Sequence, residues 1–426
     1  MRNPRIVLAA LFLMAMPAHG QLMGPSMNPE KGGTFMGGAG LAVVDNQTYF
    51  SINVQPEIAI GKIGVGLNVN LLYDVNTGHI RSKDWDESYD YLRLVRYIRY
   101  GFKGDPFYAR IGAQDAARIG HGFIVNYYSN SPSYDERKIG LAFDLDLGTY
   151  GFETLTNNLG RAELLGARVY WRPLRMISSV PILKNLEQGV TYVTDIDPDG
   201  NRKTDDGVSA FGLDLGLPLL AFSSFRSMVY YDFAKIVDYG SGQAAGLALE
   251  VRLPANLAQL YARLERRWLG KRFEAGFFNA FYEVDRYNPA TGFHKYDGLN
   301  QIQEETKGIF GELAGNVLGS IRLVGNFVRL DDHPRSGILH LGAEAPNAIP
   351  SIAAHASYEK SQVEKFKDLF VLDDRSIARV GLGYKIRPYL IAYVDYIWNF
   401  VYNSNTRRYE TQERVEPRLS FVYSWK

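Results

Sequence analysis

The stretch "KIGVGLNVNLLYD", residues 62–74, puts Ile63, Val65, Leu67, Val69 and Leu71 at every second position, with Gly64, Gly66, Asn68 and Asn70 between them. Successive side chains of an extended chain point to opposite faces, so this alternation describes a strand with one apolar face and one small or polar face. The pattern recurs along the chain. Ile139, Leu141, Phe143 and Leu145 alternate with Gly140, Ala142, Asp144 and Asp146. Ala245, Leu247, Leu249 and Val251 alternate with Gly246, Ala248, Glu250 and Arg252. Ala378, Val380, Leu382, Tyr384 and Ile386 alternate with Arg379, Gly381, Gly383 and Lys385, and Val415, Leu419, Phe421, Tyr423 and Trp425 alternate with Arg418, Ser420 and Ser424.

The connections are of two kinds. Tight ones, often with proline, occur at Gly61-Lys62, "KGDP" (103–106), "LPAN" (253–256), "PNAIP" (346–350) and "RP" (387–388). Longer polar ones occupy 74–88, 195–206, 284–304, 360–375 and 401–411. Strands of about ten residues, joined by short turns at one end and long loops at the other, are the pattern of a bacterial outer-membrane barrel. A closed barrel leaves no unpaired backbone edge in lipid. A β-sandwich would fill its second face with bulky apolar groups, whereas here that face carries Gly, Ala, Ser, Asn and charges. A solenoid would show a fixed repeat, and the hairpin spacing varies. Aromatic pairs near strand ends, Tyr127-Tyr128, Tyr230-Tyr231, Tyr396 with Trp398 and Tyr423 with Trp425, suit interfacial girdles. The expected fold is therefore all-β, a transmembrane antiparallel up-and-down β-barrel over residues 48–426. About 18 strands are expected, with 16–20 admissible because such single-chain barrels have even strand numbers.

The C-terminal "RVEPRLSFVYSWK" resembles the terminal strand of bacterial outer-membrane proteins, departing from it only in ending on Lys426. The resemblance implies the porin-like class and a place in the bacterial outer membrane, without a particular family. At the other end, Arg2 and Arg5 precede an apolar run from Ile6 to Met16, and Ala18-His19-Gly20 offers small residues for cleavage. Residues 1–20 read as a secretory signal peptide, too short in its apolar run to span a membrane. Its removal takes away two arginines and lowers the formal charge from +1 to −1. A near-neutral chain gives no basis for binding nucleic acid. With no cysteine, 42 glycines, 28 tyrosines and 23 phenylalanines, stability has to come from the fold and from lipid.

Two stretches interrupt the up-and-down order. In "RRWLGKRFEAGFFNAFYEVDR" (266–286) a tight Gly270-Lys271 turn falls where a long loop is due. "IGHGFIVNYYSN" (119–130) reads as a strand, an inward-folded loop or part of a plug. Residues 173–188 form the longest of the short-end turns, with room for a short helix. The Gly-rich segment 21–47 reads as a tail, a first strand or a plug, and its "GGAGLAVVDN" faintly resembles the N-terminal segment of hydrophobic-solute transporters of the long-chain fatty-acid type.

No serine-nucleophile elbow, zinc-protease motif or phosphate loop is present, and the expected protein is not an enzyme. On the polar face, His340 and His355 flank the PNAIP turn and count as nearly opposite, close enough to titrate as a pair or share a metal. The expected pore lining is Glu250, Arg252, Arg263, Glu265, Arg322, His340, Glu344, His355, Arg379, Lys385 and Arg418. Its bases outnumber its acids, which favours anions if the lumen conducts. In "TDIDPDGNRKTDDG" (194–207), Asp195, Asp197, Asp199, Asn201 and Asp206 follow the ligand spacing of an EF-hand loop, D-x-D-x-D-G. Asp stands where the twelfth-position Glu is usual, so Asp205 is an alternative closing ligand. Strand-like flanks replace the helices, so any calcium there is structural. The expected function is passive, porin-like passage of small hydrophilic solutes through a lipid-embedded barrel. Two alternatives stay open: a non-conducting structural or interaction barrel whose loops bind calcium or a partner, and a hydrophobic-solute transporter plugged by its N-terminal segment.

Overall fold

A computed structural model of the protein describes residues 32–425, apart from 45–46, 83–84, 86–90, 92–93, 115–116, 131–137, 181, 223, 290, 319, 372–375 and 404–407. The leader expected over residues 1–20 lies outside the described residues. The strands are β1 (Gly32–Val44), β2 (Gln47–Ile60), β3 (Ile63–Leu67), β4 (Val69–Asp74), β5 (Val95–Tyr100), β6 (Phe107–Gly112), β7 (Gly140–Asp146), β8 (Tyr150–Thr156), β9 (Leu164–Trp171), β10 (Glu187–Asp195), β11 (Val208–Ala221) and β12 (Phe225–Ile236). They continue as β13 (Ser241–Arg252), β14 (Ala258–Leu269), β15 (Tyr287–Asn288), β16 (Phe293–His294), β17 (Thr306–Val317), β18 (Ile321–Leu330), β19 (Gly337–Ile349), β20 (Ile352–Val363), β21 (Ser376–Arg387), β22 (Leu390–Asn403) and β23 (Arg408–Trp425). Among the described residues no helix is long and apolar enough to cross a membrane, which says nothing about crossing by strands.

All strands except β15 and β16 belong to one 21-stranded sheet, in which each wall strand runs antiparallel to its neighbours. β3 and β4 are two halves of one wall strand, both paired with β2 and parted at Asn68. β14 pairs directly with β17, because β15 and β16 form a separate small hairpin inside the intervening connection. β1 pairs with β2 on one side and with β23 on the other, from Gly33↔Trp425 to Ala39↔Leu419, so the ladder returns on itself. With β3 and β4 counted as one, the described wall has twenty positions, an even number.

The described wall exceeds the favoured 18 strands by two and lies within the 16–20 expected. Gly32–Val44, part of the segment left open as tail, strand or plug, is a full wall strand. The supposed turn at Gly270-Lys271 is no hairpin: β14 ends at Leu269 and the chain continues as one connection to Thr306. The wall therefore alternates without a break. One end carries the short turns, and the other carries the long connections, which face outside in bacterial outer-membrane barrels. Most of "PNAIP" lies within β19, and the turn falls at 350–351. Of the expected 401–411 loop, only 404–407 separates β22 from β23.

The wall's two faces follow from its period. On β14, Leu264 is exposed to the outside while its neighbours Arg263 and Glu265 are buried inside. On β9, Leu165, Val169 and Trp171 face outward and Arg168 inward. An apolar exterior is what lipid requires and what water would penalise. The packed apolar cluster lies inside the wall, where inward residues such as Tyr108, Leu155, Val193 and Ile236 face side chains brought in by the connections. Phe123, Ile124, Val125 and Tyr128 meet Phe273, Phe277, Phe278 and Tyr282, all contributed by connections and not by wall strands.

Candidate functional site: an occupied lumen

Residues 113–114 and 117–130, which follow β6, fold inward. Ala117 and Tyr128 exchange backbone hydrogen bonds at 2.8 and 2.9 Å, closing a loop around 117–128. Gly120 and Gly122 turn this loop with φ of +55° and +89°, conformations in which a Cβ is costly. The connection after β14 comes in beside it. Gly276 N–H donates to Phe123 O at 2.8 Å, and Asn126 N–H donates to Phe278 O at 3.1 Å. A parallel bridge joins Val125 to Phe278. Two connections that would expose apolar side chains alone bury them against each other inside the barrel.

Inward glycines of the wall make room for this insert. A Cβ at Gly166 would lie 2.7 Å from Ile119 Cδ1, and one at Gly212 would lie 2.8 Å from Ile124 Cδ1. These small inward residues, read from the sequence as lining water, accommodate packed side chains. Beneath the insert a cavity of about 20 Å³ is lined by His121, Thr191, Asp214 and Asp232. That is room for a single water.

Charged groups fasten the insert to the wall. Arg118 Nη2 donates to both oxygens of Glu312 at 2.9 and 2.8 Å, and Arg263 Nη2 reaches the same carboxylate at 2.9 Å. His121 Nδ1 lies 3.0 Å from Asp232 Oδ1, its ring stacks on Tyr230 at 4.3 Å, and its carbonyl accepts from Arg263. Gly120 N–H donates to Glu153 at 3.3 Å. Below runs a belt of ion pairs: Lys103 with Asp144 and Glu153, Arg168 with Glu153, Glu187 and Asp214, and Arg172 with Asp146 and Glu187, all at 2.6–2.9 Å. Of these residues only Arg263 was expected as pore lining; Tyr230, expected at an interfacial girdle, is buried inside against His121, and Asp144 and Asp146 were read only as polar-face positions. The available signal was the run of apolar residues inside a long connection.

At the outer mouth, Glu163 takes Arg286 at 2.8 Å and Lys138 at 3.1 Å, while Lys138 also reaches Glu283 at 2.7 Å. Burial pushes the Glu163 carboxyl up, but Lys138 and Arg286 outweigh it and hold it below the usual carboxylate range. Glu283 also accepts from the Tyr128 hydroxyl and from Asn157, which ties the insert to the mouth.

The aspartate loop is divided between partners. Asp195 accepts from the Tyr282 hydroxyl at 2.9 Å and faces Arg286 at 3.4 Å, and Asp197 pairs with Arg161 at 2.8 Å. Asp199 accepts from Asn201 N–H and the Thr204 hydroxyl. Slight burial works against its ionisation, yet these donors hold its carboxyl below the usual range. Asp206 accepts from Asp199 N–H and faces His294 Nε2, both at 3.0 Å. The Asn201 side chain turns back to Lys203 N–H. The five residues are thus not gathered as one oxygen cage. Asp199, Asp206 and His294 are, with donor atoms within 4.8 Å of one another.

The remaining expected lining residues pair along one strand or with the next. Glu250 takes Arg252, Arg263 lies 3.3 Å from Glu265, and Arg322 lies 3.7 Å from Glu344. His340 and His355 are not opposite one another: the register sets His340 against Glu359 and His355 against Glu344. The turn lies further along than the count assumed, and the strands carry a bulge between Ala345 and Ile349. His340 meets Glu359 at 3.5 Å, while His355 and Arg379 share Asp395 at 3.2 Å each. Lys385 stands near the short-turn end of β21. Arg418 pairs through its backbone with Tyr393, its side chain lying outside the described residues. Once Glu312, Glu359 and Asp395 join the expected set, its excess of bases is gone.

The lumen has a dry side and a wet side. Side chains of Arg118, Arg263 and Glu312 are only 2–3% exposed, whereas those of Arg322, Arg379, His340 and His355 are 20–38% exposed. The tethers of the insert reach β8, β12, β14 and β17, and the wet groups belong to β18–β21.

No family model matches the chain, and no curated protein sequence does. Solved structures of bacterial outer-membrane β-barrel proteins do overlay on it. CdiB from Acinetobacter baumannii is 8% identical with a TM-score of 0.32, covering 92% of this chain, which spans 60% of that protein. OccK9 (OpdG) of Pseudomonas aeruginosa is 13% identical with a TM-score of 0.35, covering 93% of this chain and 98% of its own. Wzi of Escherichia coli, described as a carbohydrate-binding β-barrel involved in group 1 capsule assembly, is 10% identical with a TM-score of 0.39, covering 93% and 85%.

Proposed function

We propose that this outer-membrane barrel of the porin-like class passes small hydrophilic solutes along the wet side of its lumen, beside a fixed insert formed by residues 117–130. The unequal exposure of the lumen charges supports this reading most directly. Arg322, Glu344, His340, His355 and Arg379 keep contact with solvent, while the opposite half is packed and cross-paired. Mixed-sign groups on a wetted wall create a transverse field that orients dipolar and charged solutes. The passage needs no chemistry of its own and no conformational cycle.

Planar-bilayer recording of the purified protein is the test. Discrete conductance steps are expected, and their size should fall when a bulky side chain is set into the wet side, as in Gly342→Trp, between His340 and Glu344 on the inward face of β19, or His355→Trp. Steps unchanged by His355→Trp but altered by substitutions on the dry side would contradict the assigned path. A silent wild type would favour the structural or interaction reading.

A further inference from the structure

We propose that Asp199, Asp206 and His294 hold a divalent transition-metal ion of the Zn²⁺ class, which fastens the β10–β11 loop to the β15–β16 hairpin at the outer mouth. Their donor atoms lie within 4.8 Å of one another, although His294 stands 88 residues from Asp206 in sequence. A common ion about 2.0–2.2 Å from each donor needs only small side-chain rotations from there.

The hydrogen bonds do not use up the donors. Asp206 is 91% buried, and its Oδ1 has no partner, since Asp199 N–H and His294 both go to Oδ2. Asp197 is buried beside the cluster, its Oδ2 occupied by Arg161 and its Oδ1 likewise without a partner. Two buried carboxylate oxygens with no donor are costly unless a cation meets them.

The donor set decides the class of ion. Calcium prefers six to eight oxygens, and the loop has lost two of its expected ones, Asp195 to Tyr282 and Arg286, and Asn201 to Lys203 N–H. What remains is the carboxylates of Asp199 and Asp206, the free Oδ1 of Asp197 beside them and an imidazole, a small mixed oxygen and nitrogen set that suits a four-coordinate ion. The imidazole is also held as a ligand is. It stacks on Tyr296 at 4.7 Å with an 11° tilt, and its Nε2 points to Asp206 at 3.0 Å. Such an ion would join the aspartate loop to the connection that carries Phe277, Phe278 and Tyr282, and so stiffen the roof of the insert.

The test uses the full-length barrel in detergent, stripped with chelator and titrated calorimetrically with Zn²⁺ and, separately, with Ca²⁺. One Zn²⁺ per chain is expected. His294→Ala and Asp206→Asn should each weaken it by at least about 100-fold, the upper end of the effect of changes merely behind a ligand. His333→Ala, at an exposed loop histidine outside the cluster, should leave binding unchanged. Heat-modifiable migration on gels confirms that each variant is folded. Zn²⁺ binding that survives His294→Ala, absence of Zn²⁺ binding, or Ca²⁺ binding tighter than Zn²⁺ would each overturn the assignment.

Discussion

Glu312→Gln should loosen the lumen insert and enlarge the conductance severalfold. Glu312 on β17 is the single carboxylate that Arg118 of the insert and Arg263 of the wall both face, at 2.8–2.9 Å. Glutamine keeps the shape but presents an amide to two guanidinium groups, one of its two heads now a donor facing donors. Removing one partner from a buried ion pair costs about 3–5 kcal/mol, because the remaining charge stays desolvated. That energy is best relieved by moving Arg118, which sits on a connection, and not Arg263, which is locked in the sheet. Hydrogen exchange should therefore accelerate across Ile119–Tyr128 while β14 and β17 stay protected. Adding Arg118→Met to the same chain should recover part of the lost stability, since it removes one of the stranded charges. Uniformly faster exchange over the whole sheet would instead mean that Glu312 serves the wall.

Leu264→Arg is expected to be the costliest single change on the outer face. Leu264 lies midway along β14, is 59% exposed, and pairs across the sheet with Leu247, another outward residue. In lipid, an arginine at the bilayer midplane of a barrel costs about 2–4 kcal/mol, and near the interface about 0–1. The same substitution at Leu253, in the turn between β13 and β14, provides the shallow comparison. Urea unfolding from lipid vesicles should separate the two variants by roughly 2 kcal/mol or more. Equal effects at both depths would place this face in water.

The wall was legible because a two-residue period survives local noise. Leu264 between Arg263 and Glu265 announces its faces without any knowledge of the neighbouring strands. The occupied lumen was not legible, for a different reason. A Gly or Ala on the inward face is equally consistent with water and with a packed side chain, and only the position of Ile119 or Ile124 against Gly166 or Gly212 decides. Residues 119–130 contact 273–283 across about 150 residues of chain, as in Tyr128 with Glu283, and periodicity carries no information at that separation. The aspartate loop was legible in part, for the same reason. D-x-D-x-D-G marked residues able to bind a cation, but Tyr282, Arg286 and His294, which redistribute them, come from a distant connection. The histidine pair was misjudged by register: shifting the turn from the middle of PNAIP to 350–351 gives each histidine a carboxylate opposite.

The presence of the insert inside the barrel can be measured directly, since the chain has no cysteine of its own. Ile124→Cys combined with Gly212→Cys places one thiol on the insert and one on the inner face of β11, where a Cβ at 212 would lie 2.8 Å from Ile124 Cδ1. Ile124 Cγ1, where the cysteine sulfur would sit, lies 3.7 Å from that Cβ, so a modest side-chain shift brings the two sulfurs together. Oxidation should cross-link the pair nearly completely in the folded barrel, and neither thiol should then react with maleimide. The locked protein should conduct like the wild type. Two free thiols that label independently after oxidation would show that residues 117–130 do not lie against β11, and the occupied lumen would have to be abandoned.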